Sequence, residues 1–279
     1  MTEPELSIAI ENLLVARNPR NMQMAQAALA PGYVARAANH LRDVSGTVLI
    51  GTGFPVTGTF ETDGPVGAIA LYQALEALGA SPVIACGPPL VDSLAGEFAV
   101  LALRARNIEA ARREAIAELT RLKPSAVVAI ERPGLAADGR YYNMRSEDIS
   151  ERCFFFDPYL HEAYCPTIGI GDGGNEIGMG NIAAQLDGLD IHPSVTRCDE
   201  LVVSDVSNWG AYGLIAMLGW WAGTDLLGHL SPLAILNYLS GKGSVDGITG
   251  ENTLTEDGMG PDEGLDIIVE LRRLTGFTG

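Results

Sequence analysis

The chain has 279 residues, 47% hydrophobic and 19% charged, a composition that excludes a disordered or fibrous protein and fits a globular one with a substantial core. Its formal charge of −17, from 18 Lys+Arg against 35 Asp+Glu, supplies no basic stripe and so argues against nucleic acid or an anionic membrane as partner. Cys86, Cys153, Cys165 and Cys198 have neither metal-ligand spacing nor a dense disulfide pattern and read as free thiols of a reducing compartment.

Residues 4–43 predict two or three helices broken at Asn18-Pro19 and Pro31-Gly32, forming an N-terminal helical segment. Thr47–Ile50 is a short apolar run entering a glycine loop, the pattern of a buried strand. The loop Gly51–Pro65 leads to a helix over Val66–Leu78 that stops at Gly79, and Pro82–Ala85 is the next strand. Helices are predicted over 91–104 and 108–122, then strands at Ala126–Ile130, Thr167–Ile170 and Glu200–Val203, then helices over 209–222, 231–240 and 262–274. Alternating strands and helices imply an α/β fold, a mainly parallel sheet with helices on both faces. No repeat or linker interrupts residues 1–279, which predicts one domain. The apolar stretch Ala211–Gly223 is too short to span a bilayer and reads as a buried helix carrying Trp220 and Trp221 in the core. The N-terminus, with Glu3, Glu5 and Glu11, does not resemble a signal or transit peptide.

Three polar, glycine-rich segments follow predicted strands, where α/β sheets hold their ligands. They are Gly51–Pro65 with Glu61 and Asp63, Glu131–Gly134 running on to Tyr141–Arg145, and Gly169–Asn181 with Asp172 and Glu176. The last matches G-x-G-x-x-G, but its two carboxylates sit where pyrophosphate would, and no P-loop lysine occurs, so no nucleotide is expected. Consecutive glycines Gly173 and Gly174 can instead turn bare amides toward an anion. Asp172 and Glu176, four apart, return to one side if a helix begins near Asn175, and can then share a proton or hold a divalent cation. Plainer roles stay open: Asp172 and Asn175 as caps of that helix, Asp63 as the cap of the helix at Pro65, Ser207 or Asn208 as the cap of the next, and Arg145 as a surface arginine. The four histidines are scattered and share no spacing.

At these loops the sequence resembles the D-glutamate cyclase family. The run Gly-Ile-Gly-Asp-Gly-Gly-Asn-Glu-Ile-Gly-Met-Gly at 169–180 is the most specific element, joined by Gly51–Pro55, Glu61–Pro65, Glu131–Gly134, Tyr142–Arg145, Val206–Gly210 and Ser244–Gly247, together spanning roughly residues 50–250. The resemblance implies an α/β fold and closure of D-glutamate to 5-oxo-D-proline and water, a lyase reaction. Larger animal members of that family are mitochondrial with an added domain; this chain is expected to be a one-domain, cytoplasmic microbial protein, with homo-oligomerisation left open.

For such a reaction the residues suggest roles. Asp172 or Glu176 takes the ammonium proton, with Asp63 a third catalytic acid. Gly173, Gly174, Asn175, Asn143, Arg145 and Asn208 bind the carboxylates. Glu61, Asp172 and Glu176 are the expected ligands of Mg²⁺ or Mn²⁺. Two other classes use the same residues: a metal-dependent phosphohydrolase, and a non-catalytic acidic amino-acid binding protein.

Overall fold

Runs of Val, Ile, Leu and Ala too short for a helix can be satisfied only inside a sheet covered on both sides. The computed structural model describes residues 1–186 and 188–277. Three N-terminal helices, α1 (Glu3–Leu14), α2 (Met22–Ala27) and α3 (Tyr33–Asn39), precede β1 (Thr47–Thr52). A two-stranded hairpin, β2 (Pro55–Val56) and β3 (Thr59–Phe60), then leads to α4 (Pro65–Ala77). There follow β4 (Ser81–Cys86), α5 (Leu90–Leu94), β5 (Val100–Ala102), α6 (Ile108–Leu122), β6 (Ala126–Ile130), α7 (Asp157–His161) and β7 (Thr167–Gly171). The chain continues through β8 (Glu200–Val203), α8 (Ser207–Ala222), α9 (Pro232–Ser240) and α10 (Pro261–Leu274).

The main sheet is six-stranded and parallel, in the order β5-β4-β1-β6-β7-β8. Strand side chains alternate between two cores: Val48, Ile50, Ile84 and Val128 enter the larger, while Leu49, Ala85, Val127 and Ala129 enter the smaller. The larger core also takes residues from α1 through α5 and α8 through α10, whereas the smaller is covered by α6 and α7. Helices therefore lie on both faces, unequally. Each fully buried Leu or Ile side chain contributes about 1.5–3 kcal/mol.

Helix α8 is apolar all round and buried over most of its length, as a helix enclosed on every side must be. It crosses α4 at Gly67, where a Cβ would stand 2.8 Å from the Asn208 Cα and 3.1 Å from the Ala211 Cβ. That close crossing brings the N-termini of both helices to one place above the sheet.

Three expectations need correcting. The predicted helix over 91–104 is only α5, because Gly96 turns at φ +125° and the alternating stretch beyond it finds an edge-strand partner in β4. No helix starts at Asn175; the segment bridges Glu176 to Pro133 and reaches one 3₁₀ turn at Met179–Asn181. Trp220 and Trp221 are half-buried at the core's edge, Trp221 donating to Glu3 Oε2 at 2.9 Å, while Trp209 is the wholly buried tryptophan.

Candidate active site

The sheet's strand order fixes where a ligand can enter. From β1 the chain winds outward through β4 to β5, then returns to β6 on the other side of β1 and winds outward again through β7 to β8. Loops leaving β1 and β6 diverge, and such a switch point opens a crevice at the carboxyl ends of the strands. A cavity of about 350 Å³ lies there, within the range of small-ligand sites. Its walls include Glu61, Glu131 and Asp257, with Arg20, Arg145 and Arg152.

These acids belong to a buried carboxylate cluster that continues behind the cavity wall. Glu61, Asp63, Glu131, Asp172, Glu176, Glu256 and Asp257 are all buried. Asp63 is fixed by backbone donors: its Oδ1 accepts from Gly64 N at 2.9 Å and Asn208 N at 2.8 Å, and its Oδ2 from Ser207 N at 2.9 Å. It thereby caps α8 from another loop, where negative charge meets the helix dipole. Glu131 follows β6 in a left-handed backbone conformation, φ +46°, and its Oε2 accepts from the Ser207 hydroxyl at 2.6 Å. A non-glycine residue in that region is strained and is held there by its surroundings. Glu176 turns back on its own loop, its Oε1 accepting from Asp172 N at 3.1 Å and Gly173 N at 2.6 Å, and its Oε2 from Gly174 N at 2.7 Å.

One guanidinium faces this charge. Arg20 Nη2 pairs with both Asp172 Oδ2 and Asp257 Oδ2, and donates to the Asp205 carbonyl at 3.0 Å. Burial alone would lower its pKa, but Asp172 and Asp257 outweigh burial and raise it, so Arg20 stays charged. The carboxyls go the other way. Burial, then the charges of Asp257 and Asp63, push Glu61 well up; burial, then Glu176 and Asp63, push Glu131 well up. Asp172 also rises, burial outweighing Arg20. Burial and Asp257 push Asp63 up to about 6, and burial and Asp63 push Glu256 up to about 8. Such a cluster holds protons near neutrality, or trades them for a cation. Asp63, Glu131 and Asp172 each offer an oxygen, all three within 4.8 Å of one another, a buried triad that could hold a divalent ion.

The sequence-predicted residues divide into two groups. Glu61, Asn143, Arg145 and Asn175 line the cavity, whereas Asp63, Asp172, Glu176, Gly173, Gly174 and Asn208 stand outside its lining. The amides of Gly173 and Gly174 are occupied by Glu176 rather than free for a substrate carboxylate. Asn208 is likewise committed, its Oδ1 accepting from Gly64 N and Gly67 N and its Nδ2 donating to Glu256 Oε1 at 2.9 Å. Asn143 shapes its own turn, accepting from Arg145 N and Glu147 N and donating to Glu147 Oε2. Asn175 Nδ2 donates to the Tyr142 carbonyl, and its buried Oδ1 has no partner among the described residues. In the metal set, Glu61 and Glu176 lie outside the triad, which keeps Asp172 and adds Asp63 and Glu131. Glu176 is withdrawn because three amides already take its oxygens.

Arg20 and Asp257 carry no local signal. One lies in an Asn-Pro-Arg-Asn turn and the other in a Glu-Asp-Gly turn, both of which read as solvated loop. Glu131 was detectable, since it follows β6 as Asp172 follows β7.

A family model described as D-glutamate cyclase-like, C-terminal, matches residues 10–272. The chain belongs to the D-glutamate cyclase-like family. It is 35% identical over 199 residues to the human protein named D-glutamate cyclase, mitochondrial; the match covers 62% of this chain and 32% of the human protein. The chain thus matches about a third of the length of that relative. As a D-glutamate cyclase-like chain it carries the family's region over nearly its whole length, and the cavity at the β1/β6 switch point lies inside that region. Among the described residues, no helix is long and apolar enough to cross a membrane.

Proposed function

We propose that the chain is an enzyme that closes D-glutamate to 5-oxo-D-proline and water, a carbon–oxygen lyase acting within one substrate molecule. The observation that carries this reading is the cavity itself, in a chain of this family: acids whose burial favours their protonated forms, guanidinium groups among the same lining, and room for one small amino acid.

The ring closes when the α-nitrogen bonds to the γ-carbon and one γ-oxygen leaves. The nitrogen loses two protons, and both end on the departing water. Arg145, at the cavity edge, meets the α-carboxylate through a charge-assisted contact. The ammonium group faces Glu61, Glu131 and Asp257. An ionised carboxylate there accepts a proton from nitrogen, and a protonated neighbour gives one to the leaving oxygen, work of about 10²–10⁴-fold for a positioned acid and base. Folding the flexible chain so that nitrogen meets carbon contributes several kcal/mol more, by order of magnitude. Mg²⁺ or Mn²⁺ at Asp63, Glu131 and Asp172 would add Lewis-acid polarisation of a carboxyl oxygen. Four unpaired thiols suit a reducing compartment.

Purified chain incubated with D- and L-glutamate, with and without EDTA, is expected to form 5-oxo-D-proline from the D-isomer, followed by chiral chromatography. Asp172→Asn is expected to abolish that product with the fold intact. Absence of product from D-glutamate in the presence of Mg²⁺ and Mn²⁺ would sink the reading.

A further inference from the structure

The loop between α1 and α2 is built to present one side chain. Asp205, buried just beyond β8, accepts from Arg17 N at 2.7 Å and Asn18 N at 3.0 Å with its two carboxylate oxygens. Its own N–H donates to the Leu14 carbonyl at 2.8 Å. Asn18 and Asn21 turn at φ +54° and +61°, so the loop between them is sharply bent, and Arg17 is locked by Glu263 and by the Trp209 ring 4.7 Å away. The residue so presented is Arg20.

Its hydrogen bonds are lopsided. All the hydrogen bonds described for its side chain come from Nη2, to Asp172, Asp257 and the Asp205 carbonyl. The Nε is buried with no partner among the described residues, and Nη1 makes no hydrogen bond to them either. A guanidinium has five N–H donors and no acceptor; with Nη2 committed and the Nε N–H enclosed, the two N–H groups of Nη1 remain for a ligand, on a side chain that forms part of the cavity wall. A cation needed only to neutralise the cluster would gain by turning its donors to the carboxylates around it. This one keeps donors in reserve.

We propose that Arg20 is a substrate-binding residue that receives the side-chain carboxylate of a dicarboxylate ligand, with Asp205 positioning it through the loop. The assignment deepens the cyclase reading by separating the ligand's two ends: Arg145 takes the carboxylate next to the amine, and Arg20 takes the one that reacts. A planar guanidinium fits a carboxylate better than an ammonium does, and its charge offsets that of the group nitrogen must attack.

Two unreactive probes test this apart from turnover: glutarate, which has both carboxylates and no amine, and D-2-aminobutyrate, which has the amine and one carboxylate. Titration calorimetry on the full chain is expected to show Arg20→Ala weakening glutarate by about 30-fold or more, the usual scale for one charged hydrogen-bonded partner. D-2-aminobutyrate should change by less than about 3-fold, and Arg145→Ala should weaken both. Arg20→Lys, which keeps the charge over Asp172 and Asp257, should show the same selective loss in smaller degree and covers the case in which the alanine variant does not fold. Methylguanidine added to Arg20→Ala should restore part of the glutarate affinity, and Asp205→Asn should repeat the glutarate-selective pattern. Equal losses for both probes, an unchanged glutarate affinity, or a wild-type chain that does not bind glutarate would each overturn the assignment. A chain that binds glutarate through Arg20 yet makes no 5-oxo-D-proline would instead remove the cyclase reading and leave this one standing.

Discussion

Replacing Asp63 by Asn separates two effects that oppose each other. Asp63 accepts three backbone N–H groups at 2.8–2.9 Å, two on Oδ1 and one on Oδ2. An asparagine can keep its oxygen on Gly64 N and Asn208 N, but it then points an NH₂ at the Ser207 N–H. A buried donor left unpaired costs about 1–3 kcal/mol, and asparagine has no charge to favour the α8 dipole. Against this stands the carboxyl's elevation from 3.8 to about 6. A carboxyl raised in the folded state leaves stability whole below its unfolded pKa and removes it as pH climbs through the folded one. Two units correspond to about 3 kcal/mol in all, of which about half is still to be lost between pH 5 and pH 8. Asparagine does not titrate and escapes that loss. Relief of Glu256, whose carboxyl Asp63 helps to raise, acts in the same direction. The deficit of Asp63→Asn relative to wild type should therefore shrink by about 1–2 kcal/mol from pH 5 to pH 8, toward parity. Urea unfolding of both proteins in EDTA at the two pH values measures this directly, provided the slopes match. A deficit that is constant with pH, or grows with it, would refute the reasoning.

Two further outcomes follow from the same geometry. Gly64→Ala forces a side chain onto a backbone at φ +90° and places a Cβ 2.7 Å from the Glu131 Cβ and 3.0 Å from the Ile130 carbonyl; it should lose about 3 kcal/mol or more, and a shift in urea midpoint worth less than about 1 kcal/mol would contradict it. Mn²⁺ or Mg²⁺ added to EDTA-treated protein at pH 8 should raise the melting temperature, by about 2.7 kcal/mol of stabilisation at a hundredfold excess over Kd, and Asp172→Asn and Glu131→Gln should each blunt the rise; equal shifts in all three proteins would remove the triad as a cation site.

Much of the architecture could be read from local pattern. Five of the six strands of the main sheet and the long helices α4, α6, α8, α9 and α10 lie where apolar runs and glycine or proline breaks predict them. The miss at β5 has a plain cause: three residues of edge strand after Gly96 are defined by pairing to β4, and nothing within 91–104 specifies that neighbour. The glycine-rich run 169–181 was recognisable as a turn that exposes amides, but the chain supplies its own anion in Glu176, because a carboxylate two to four residues away reaches those amides before any ligand can. Asp63 was legible as a helix cap, though not of which helix. Its partners Ser207 and Asn208 lie 144 and 145 positions away.

By itself, then, the sequence determined the kind of sheet, the sides its helices cover, the strand ends at which polar loops gather, and the family those loops belong to. Each depends on residues near one another in the chain, where backbone preference and burial act directly. Only the tertiary structure decided which acids face the cavity and which are spent on amides, and that Arg20 stands among them. Arg20 meets Asp172 across 152 positions and Asp257 across 237. Coulombic and hydrogen-bond energies depend on distance in space, and a linear pattern carries no record of that distance.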